Sequence, residues 1–239
     1  YYELDKEYVL NTYKRIPLDV AKGDGGYLFD TEGNKYLDMF SGIAVLHLGH
    51  NDQGLKDAMI NQINKYAHLS NYFASEPVVE LAKKLVENSF AKKVFFANSG
   101  TEANEGALKL AVKWGKEINI NKTEIISTLN GFHGRTTGAL ALTGQPGKQE
   151  PFSSILPAVK YINYNSIENL KAAVNENTCA IFLEAIQGEG GIIELDIEFV
   201  KELHALRDKY NFLIIMDEIQ AGLGRTANEL FAYEAYGVN

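Results

Sequence analysis

The chain has 239 residues, 46% hydrophobic and 23% charged, with a net charge of −8 and a pI near 5.2. This composition suits one sizeable globular core with at most a small appendage, and its acidity leaves no basic field for nucleic acid or an anionic membrane. No apolar stretch reaches the roughly 18 residues that a membrane helix needs, and the sequence holds neither repeats nor a low-complexity tract.

The opening YYELDKEYVL is acidic and lacks a continuous apolar core, so it does not read as a signal peptide. GGYLFDTEGNKYLDMFSG carries two β-rich runs about the turn TEGN and predicts a hairpin. Residues 1–45 thus read as an N-terminal segment with short strands, and 46–239 as the larger domain. DAMINQINKYAHL and EPVVELAKKLVENSF space their apolar residues for helices. From residue 92 strands and helices alternate. KKVFFAN predicts a strand, TEANEGALKLAVKWGKEI a helix and TEIISTL a strand. A loop over about 130–157 is long enough to be functional. AVKYINY, a helix near 166–175, the strand CAIFLEA, a helix near 197–210 and the strand FLIIMDE complete the pattern. The alternation predicts an α/β fold with a mostly parallel, doubly wound sheet. Cys179, the single cysteine, permits no disulfide, which suits a reducing cytoplasm, and reads as a small buried residue.

Ligands of such sheets bind beyond the carboxyl ends of the strands, and four strand ends carry chemistry. After KKVFFAN, Ser99 and Gly100 allow a tight turn, and Thr101 opens a helix whose free N–H groups and dipole make an anion seat. The alternative is that Ser99 or Thr101 merely caps the helix, the far commoner use of such residues, with Glu102 complementing the dipole. In NGFHGRTTG, Phe132 is either a stacking surface or a loop anchor, and Arg135 either grips a carboxylate or forms a surface ion pair. His133 is an acid–base group or a histidine hydrogen-bonded in place. Glu184 ends CAIFLEA and Glu189 sits in a glycine-flanked turn, as acid–base groups or as solvated loop acids. Asp217 closes FLIIMDE, and a buried carboxylate needs a cationic or hydrogen-bonding partner. Together, an anion seat, an aromatic plate, an arginine and a strand-end acid suit a phosphorylated aromatic ring with a basic nitrogen. Pyridoxal phosphate is such a ring, and Asp217 would keep its nitrogen protonated.

LDMFSGIAV…LGH, VFFANSGTEANEGALKLA, GFHGRTTGALALTGQP, FLEAIQGEGG, IIMDEIQAGLGRT and LFAYEAYGV resemble, in order, the blocks of the class III (ornithine/acetylornithine-type) aminotransferases, of fold-type I among pyridoxal phosphate enzymes. The likeness covers essentially the whole chain and is strongest to acetylornithine-type members. The resemblance implies that Gly100 and Thr101 bind the cofactor phosphate, Phe132 stacks on the ring, Asp217 pairs with its nitrogen and Gln220 reaches its phenolic oxygen. It implies that Arg135 grips the substrate α-carboxylate, and that Glu189 neutralises a C-terminal arginine while the amino donor is bound. Tyr13 aligns with a tyrosine that assists substrate binding. Ile43 stands where ornithine enzymes carry a tyrosine, favouring an N-acylated donor. The implied activity is transfer of an amino group from N-acetylornithine, or a related ω-amino donor, to 2-oxoglutarate in arginine biosynthesis, by a cytoplasmic homodimer without a metal. The family's Schiff-base lysine lies shortly beyond YGV, and neither Lys209 nor any other lysine here stands in its motif. The chain by itself is therefore expected to be inactive. Asp52 and Gln53 replace the His and Pro of the family's GHxHP, and GRTANELF departs from GRTGxLF.

Two other classes compete. FLIIMDE has the form of a Walker B strand, but no loop ending in GK[ST] exists and GQPGKQ has the wrong spacing. His47 and His50 lack further ligands at metal-site spacing. A binding or assembly module that keeps the fold without its lysine is the remaining alternative.

Overall fold

The computed structural model describes residues 1–238, which divide into two units, 1–76 and 77–238. The 45/46 boundary read from the sequence falls inside the first of these. That unit begins with helix α1 (Tyr2–Tyr8) and an antiparallel sheet in the order β1 (Val20–Asp24), β2 (Tyr27–Asp30), β3 (Lys35–Leu37). The predicted hairpin is β2–β3. Asp30 closes its turn by accepting the backbone N–H groups of Glu32 and Asn34 at 2.9 and 2.8 Å. Strand β1 escaped the sequence reading because VAKGD is a mostly exposed strand without alternation. A short α2 (Ser41–Ala44) contains left-handed Gly42 and Ile43, and α3 (Gln53–Lys65) follows. Asp52 caps α3, accepting from Leu55 N–H at 2.8 Å, which gives one departure from the family pattern a structural purpose. His50 Nε2 pairs with Asp38 at 2.7 Å and His47 Nδ1 meets the Val45 carbonyl at 3.1 Å.

Helix α4 (Glu76–Glu87) leads into the second unit. KKVFFAN does not become a strand: no described strand lies beside it to supply ladder hydrogen bonds, and Phe95 is 72% exposed. The long helix α5 (Gly100–Ile118) is followed by β4 (Glu124–Thr128). The stretch expected as loop holds α6 (Thr137–Leu142), α7 (Pro146–Gln149) and a 3-10 turn at Glu150–Ile155. Then come β5 (Lys160–Ile162), α8 (Ile167–Ala173), β6 (Thr178–Glu184), the short antiparallel pair β7 (Ile186–Gln187) and β8 (Ile193–Glu194), α9 (Ile197–Tyr210), β9 (Leu213–Asp217) and α10 (Ala232–Ala235). The main sheet is all parallel in the order β5-β4-β6-β9, so the expected doubly wound α/β architecture is present.

Both faces of this sheet are covered, which is why its strands read as unbroken apolar runs. Phe182 of β6 and Ile125 of β4 pack with Ala111 of α5 on one face. Ile181 and Leu183 of β6 pack with Phe199 and Leu203 of α9 on the other. Every residue of β6 is buried, Cys179 included, and burial pushes its thiol up to about 11. Lys122, 3% exposed, donates to the carbonyls of Tyr210 at 2.8 Å and Glu176 at 3.1 Å, a cation at the carboxyl end of α9.

Asn211 ends α9 at φ 55°, ψ 64°, its N–H donating to Arg207 O at 2.7 Å, and turns the chain into β9. A β-branched residue is strained in that left-handed conformation and glycine is not. Asn211→Val should therefore lower stability by about 1–2 kcal/mol, while Asn211→Gly leaves it unchanged or slightly raised. Chemical denaturation of both variants checks this, and equal losses in the two would show that the backbone conformation is not the controlling factor.

Candidate active site

Parallel strands bring their carboxyl ends to one edge of the sheet, and there Glu184 and Asp217 are register partners at the ends of β6 and β9. Two acids side by side in a poorly solvated place cannot both be charged cheaply, so their partners decide the outcome. The Asp217 side chain is 7% exposed. Its Oδ2 accepts from His133 Nδ1 at 2.9 Å and from Asn104 Nδ2 at 2.8 Å, and its Oδ1 accepts from Ile219 N–H at 3.0 Å. Burial works to raise this carboxyl, but the donors, His133 foremost, outweigh it and hold the group below the usual carboxylate range. The carboxylate assigns the ring proton of His133 to Nδ1. Among the described residues Nε2 is enclosed without a partner, and the ring meets Phe182 edge-on at 6.2 Å.

Glu184 has the opposite fate. Among the described residues its carboxyl accepts only a long bond, from Phe132 N–H to Oε2 at 3.3 Å. Burial pushes the carboxyl up to about 7, with His133 opposing and the negative charges of Asp217 and Glu189 assisting. One acid is thus held ionised and its neighbour titrates near neutrality. The adjacent Glu218, second of the acid pair in FLIIMDE, serves elsewhere: it accepts Ala232 and Tyr233 N–H groups, both at 2.8 Å, at the start of α10.

Helix α5 supplies the other wall. Ser99 is its N-cap, accepting from Glu102 N–H at 3.3 Å, so the cap reading of that residue holds. The first-turn N–H groups of Gly100 and Thr101 have no intrahelical acceptor. A Cβ at Gly100 would sit 2.7 Å from Ile219 Cγ1, so only glycine lets the helix start come this close to the end of β9. Residues 101, 104 and 105 share one face of α5, and all three grip the loop after β4. Thr101 Oγ1 accepts from Arg135 N–H at 3.1 Å. Asn104 Nδ2 donates to His133 O at 2.8 Å. Glu105 accepts from Gly138 and Ala139 N–H at 2.7 and 3.2 Å, capping α6. Gly134, at φ 134°, lies against Thr101, where a side chain would collide with its hydroxyl.

The half-buried Phe132 ring carries two cations, the Arg135 guanidinium 5.6 Å and the Lys148 ammonium 4.9 Å from its centroid. Lys148 also pairs with Glu189 at 3.3 Å. Gln220 packs its amide against Gly188, in the turn that follows β7. The structure therefore gathers Ser99, Gly100, Thr101, Phe132, His133, Arg135, Glu184, Glu189, Asp217 and Gln220 around one edge of one sheet. Tyr13 and Ile43 belong to the N-terminal unit. There Tyr13 is 61% exposed with Arg15 5.7 Å from its ring, and Ile43 adopts φ 65°. Sequence reading missed Asn104, Glu105, Thr143 and Lys148. Thr143 Oγ1 accepts from His133 N–H at 2.9 Å. A usable signal existed for the first two: polar residues at i, i+3 and i+4 open a helix whose later turns are apolar on the sheet-facing side.

Among the described residues no helix is long and apolar enough to cross a membrane. The family profile described as Aminotransferase class-III matches residues 8–239. The acetylornithine aminotransferase of Caldanaerobacter subterraneus subsp. tengcongensis is 48% identical over 235 residues, covering 98% of this chain and 60% of that one. Two solved structures are similar in fold. The ornithine aminotransferase of Toxoplasma gondii superposes with a TM-score of 0.93 at 30% identity, over 99% of this chain and 56% of that one; its structure was described with partial occupancy of PLP at the active site. The N-acetylornithine aminotransferase of Stenotrophomonas maltophilia gives 0.82 at 35% identity, over 100% and 58%. The chain spans about 60% of the length of the curated relatives it matches.

The two carboxyls have opposite linkage to pH. Glu184 titrates higher folded, about 7, than its ordinary 4.5, so the folded state binds the extra proton and stability falls as pH rises between these values. Asp217 titrates below its ordinary 3.8, and its contribution is lost only as pH falls beneath that value. Glu184→Gln should remove the decline between pH 4.5 and 7 and stabilise the protein at pH 8 by up to about 3 kcal/mol. Urea unfolding of parent and variant at pH 5 and 8 tests this; an unchanged pH slope in the variant would refute it.

Proposed function

The chain belongs to the class-III aminotransferases, and from that premise we propose that the intact protein is a pyridoxal-phosphate-dependent transaminase. In this reading it moves an amino group from N-acetylornithine, or a related ω-amino donor, to 2-oxoglutarate in arginine biosynthesis, as a cytoplasmic homodimer. The observation that carries the proposal is the nearly buried Asp217 carboxylate, held ionised at the carboxyl edge of the sheet beside the start of α5. An ionised acid in that position favours a cation, and a protonated pyridine nitrogen is one.

The residues present fit the cofactor by their chemistry. A phosphate suits the free first-turn N–H groups of Gly100 and Thr101 and the Thr101 hydroxyl. The Phe132 ring offers a face to an aromatic system. Gln220, held beside Gly188, supplies an amide for a phenolic oxygen. When bound, pyridoxal phosphate supplies an electron sink for the substrate's reacting carbon. Asp217 then holds a proton on the ring nitrogen, and His133 and Asn104 hold Asp217. Arg135 binds the substrate carboxylate, its planar fork matching two oxygens. Glu189 balances positive charge, a task it already performs toward Lys148. Glu184, with its raised pKa, keeps a second full negative charge away from Asp217 below about pH 7. Tyr13 assists substrate binding and Ile43 favours an N-acylated amine, the roles that the family resemblance implies for them.

No lysine of this sequence stands in the family's anchoring motif, so the tests use the full-length protein. It should absorb in the near-visible, and N-acetylornithine should give the highest kcat/KM among acetylornithine, succinylornithine, ornithine and 4-aminobutyrate. A colourless protein that takes up no pyridoxal phosphate would overturn the reading. Asp217→Asn should lower kcat by about 100- to 1000-fold, the equivalent of roughly 3–4 kcal/mol, because a neutral amide no longer favours a charged ring; near-normal turnover would refute its role.

A further inference from the structure

We propose that Asn104 is a positioning residue of this reaction: its side-chain amide fixes Asp217 and the Phe132–His133 turn in one geometry, and so couples the phosphate seat of α5 to the acid at the end of β9. The inference rests on the transaminase reading and deepens it.

The geometry is specific. Asn104 is 6% exposed and lies one turn into α5, three residues beyond Thr101 on the same face. Both hydrogens of its amide are spoken for, one by His133 O and one by Asp217 Oδ2, each at 2.8 Å. Asp217 Oδ2 therefore receives two side-chain donors, from Asn104 and His133, while Oδ1 receives a single backbone N–H from Ile219. Of the two oxygens, Oδ1 retains the greater capacity to accept a further proton donor. Asn104 and His133 are not interchangeable in this task. A histidine can exchange its tautomer or gain a proton, whereas an amide donates at every pH. Among the described residues it is also the one side chain that ties α5 directly to the carboxylate. The helix that presents N–H groups to an anion and the strand that presents the acid, already packed together through Leu108, Leu213 and Ile215, are thus joined at the site itself by this amide. A phosphorylated ring would have to meet both at once.

The test uses full-length holoprotein loaded with pyridoxal phosphate 15N-labelled in the ring, and three variants, Asn104→Ala, Asn104→Asp and Asp217→Asn. The nitrogen resonance separates protonated from neutral ring. In the parent it should stay in the protonated range from pH 6 to 9. In Asn104→Ala it should titrate within that range, with kcat lower by about 10- to 100-fold and KM for the amino donor within about threefold. Asn104→Asp preserves the shape but exchanges the donor for a second carboxyl beside Oδ2. Its kcat should be partly restored at pH 6, where a protonated carboxyl can donate, and should fall steeply toward pH 9. This isosteric variant also decides the matter if Asn104→Ala fails to fold. Ring protonation and kcat unchanged in both Asn104 variants would overturn the inference. So would a loss of kcat that is equal in the two, independent of pH and without a change at the ring nitrogen, since that is a packing effect. Asp217→Asn separates the two readings: loss there with no effect at Asn104 removes only this inference, whereas no effect at Asp217 removes the transaminase role assigned to it.

Discussion

One buried anion organises the second unit. Moving a carboxylate out of water is costly unless donors replace its hydration, and the Asp217 side chain retains only 7% exposure. Its donors come from three places far apart in sequence: His133 in the loop after β4, Asn104 in α5, and its own chain at Ile219. Satisfying this one group fixes where the loop lies, how α5 approaches the sheet and how the chain leaves β9. Breaking one link strands the others, because His133 O shares the Asn104 amide with the carboxylate.

The same logic explains why two neighbouring acids behave differently. Glu184 and Asp217 end adjacent strands in register, so their burial is comparable in kind. Two strong side-chain donors keep Asp217 charged, while Glu184 has one long backbone donor and is pushed up to about 7. Environment, not residue type, assigns the roles. Two further acids of this region do structural work: Glu105 caps α6 and Glu218 caps α10, each satisfying N–H groups at a helix start.

Helix α5 serves two neighbours with one amphipathic pattern. Its apolar residues, among them Ala107, Leu108, Ala111 and Val112, meet the sheet, and its first turns turn a polar face of Thr101, Asn104 and Glu105 to the loop. A helix rigidly packed along its length is a stiff support for groups at its end, which is what a site that must hold a ring and a phosphate in fixed relation requires.

Local pattern sufficed wherever an element is determined by its own residues. The apolar runs CAIFLEA and FLIIMDE, the periodicity of α5 and α9 and the TEGN turn are each legible because burial on both faces, helical spacing and turn chemistry are written in contiguous sequence. The strand-end position of Asp217, and with it the kind of ligand to expect, followed from the same patterns. What depends on partners distant in sequence was not legible. KKVFFAN has strand composition but no described neighbour to pair with, and the loop over 130–157 contains helices because Glu105, 33 residues before Gly138, caps one of them. Asn104 looks like any polar residue in a helix until the fold sets it 2.8 Å from an acid 113 residues away. Sequence determines which segments must be buried and which residues can ionise. Only the tertiary structure decides which buried charge meets which donor, since hydrogen bonds act over a few ångströms while the chain brings their partners from anywhere along its length.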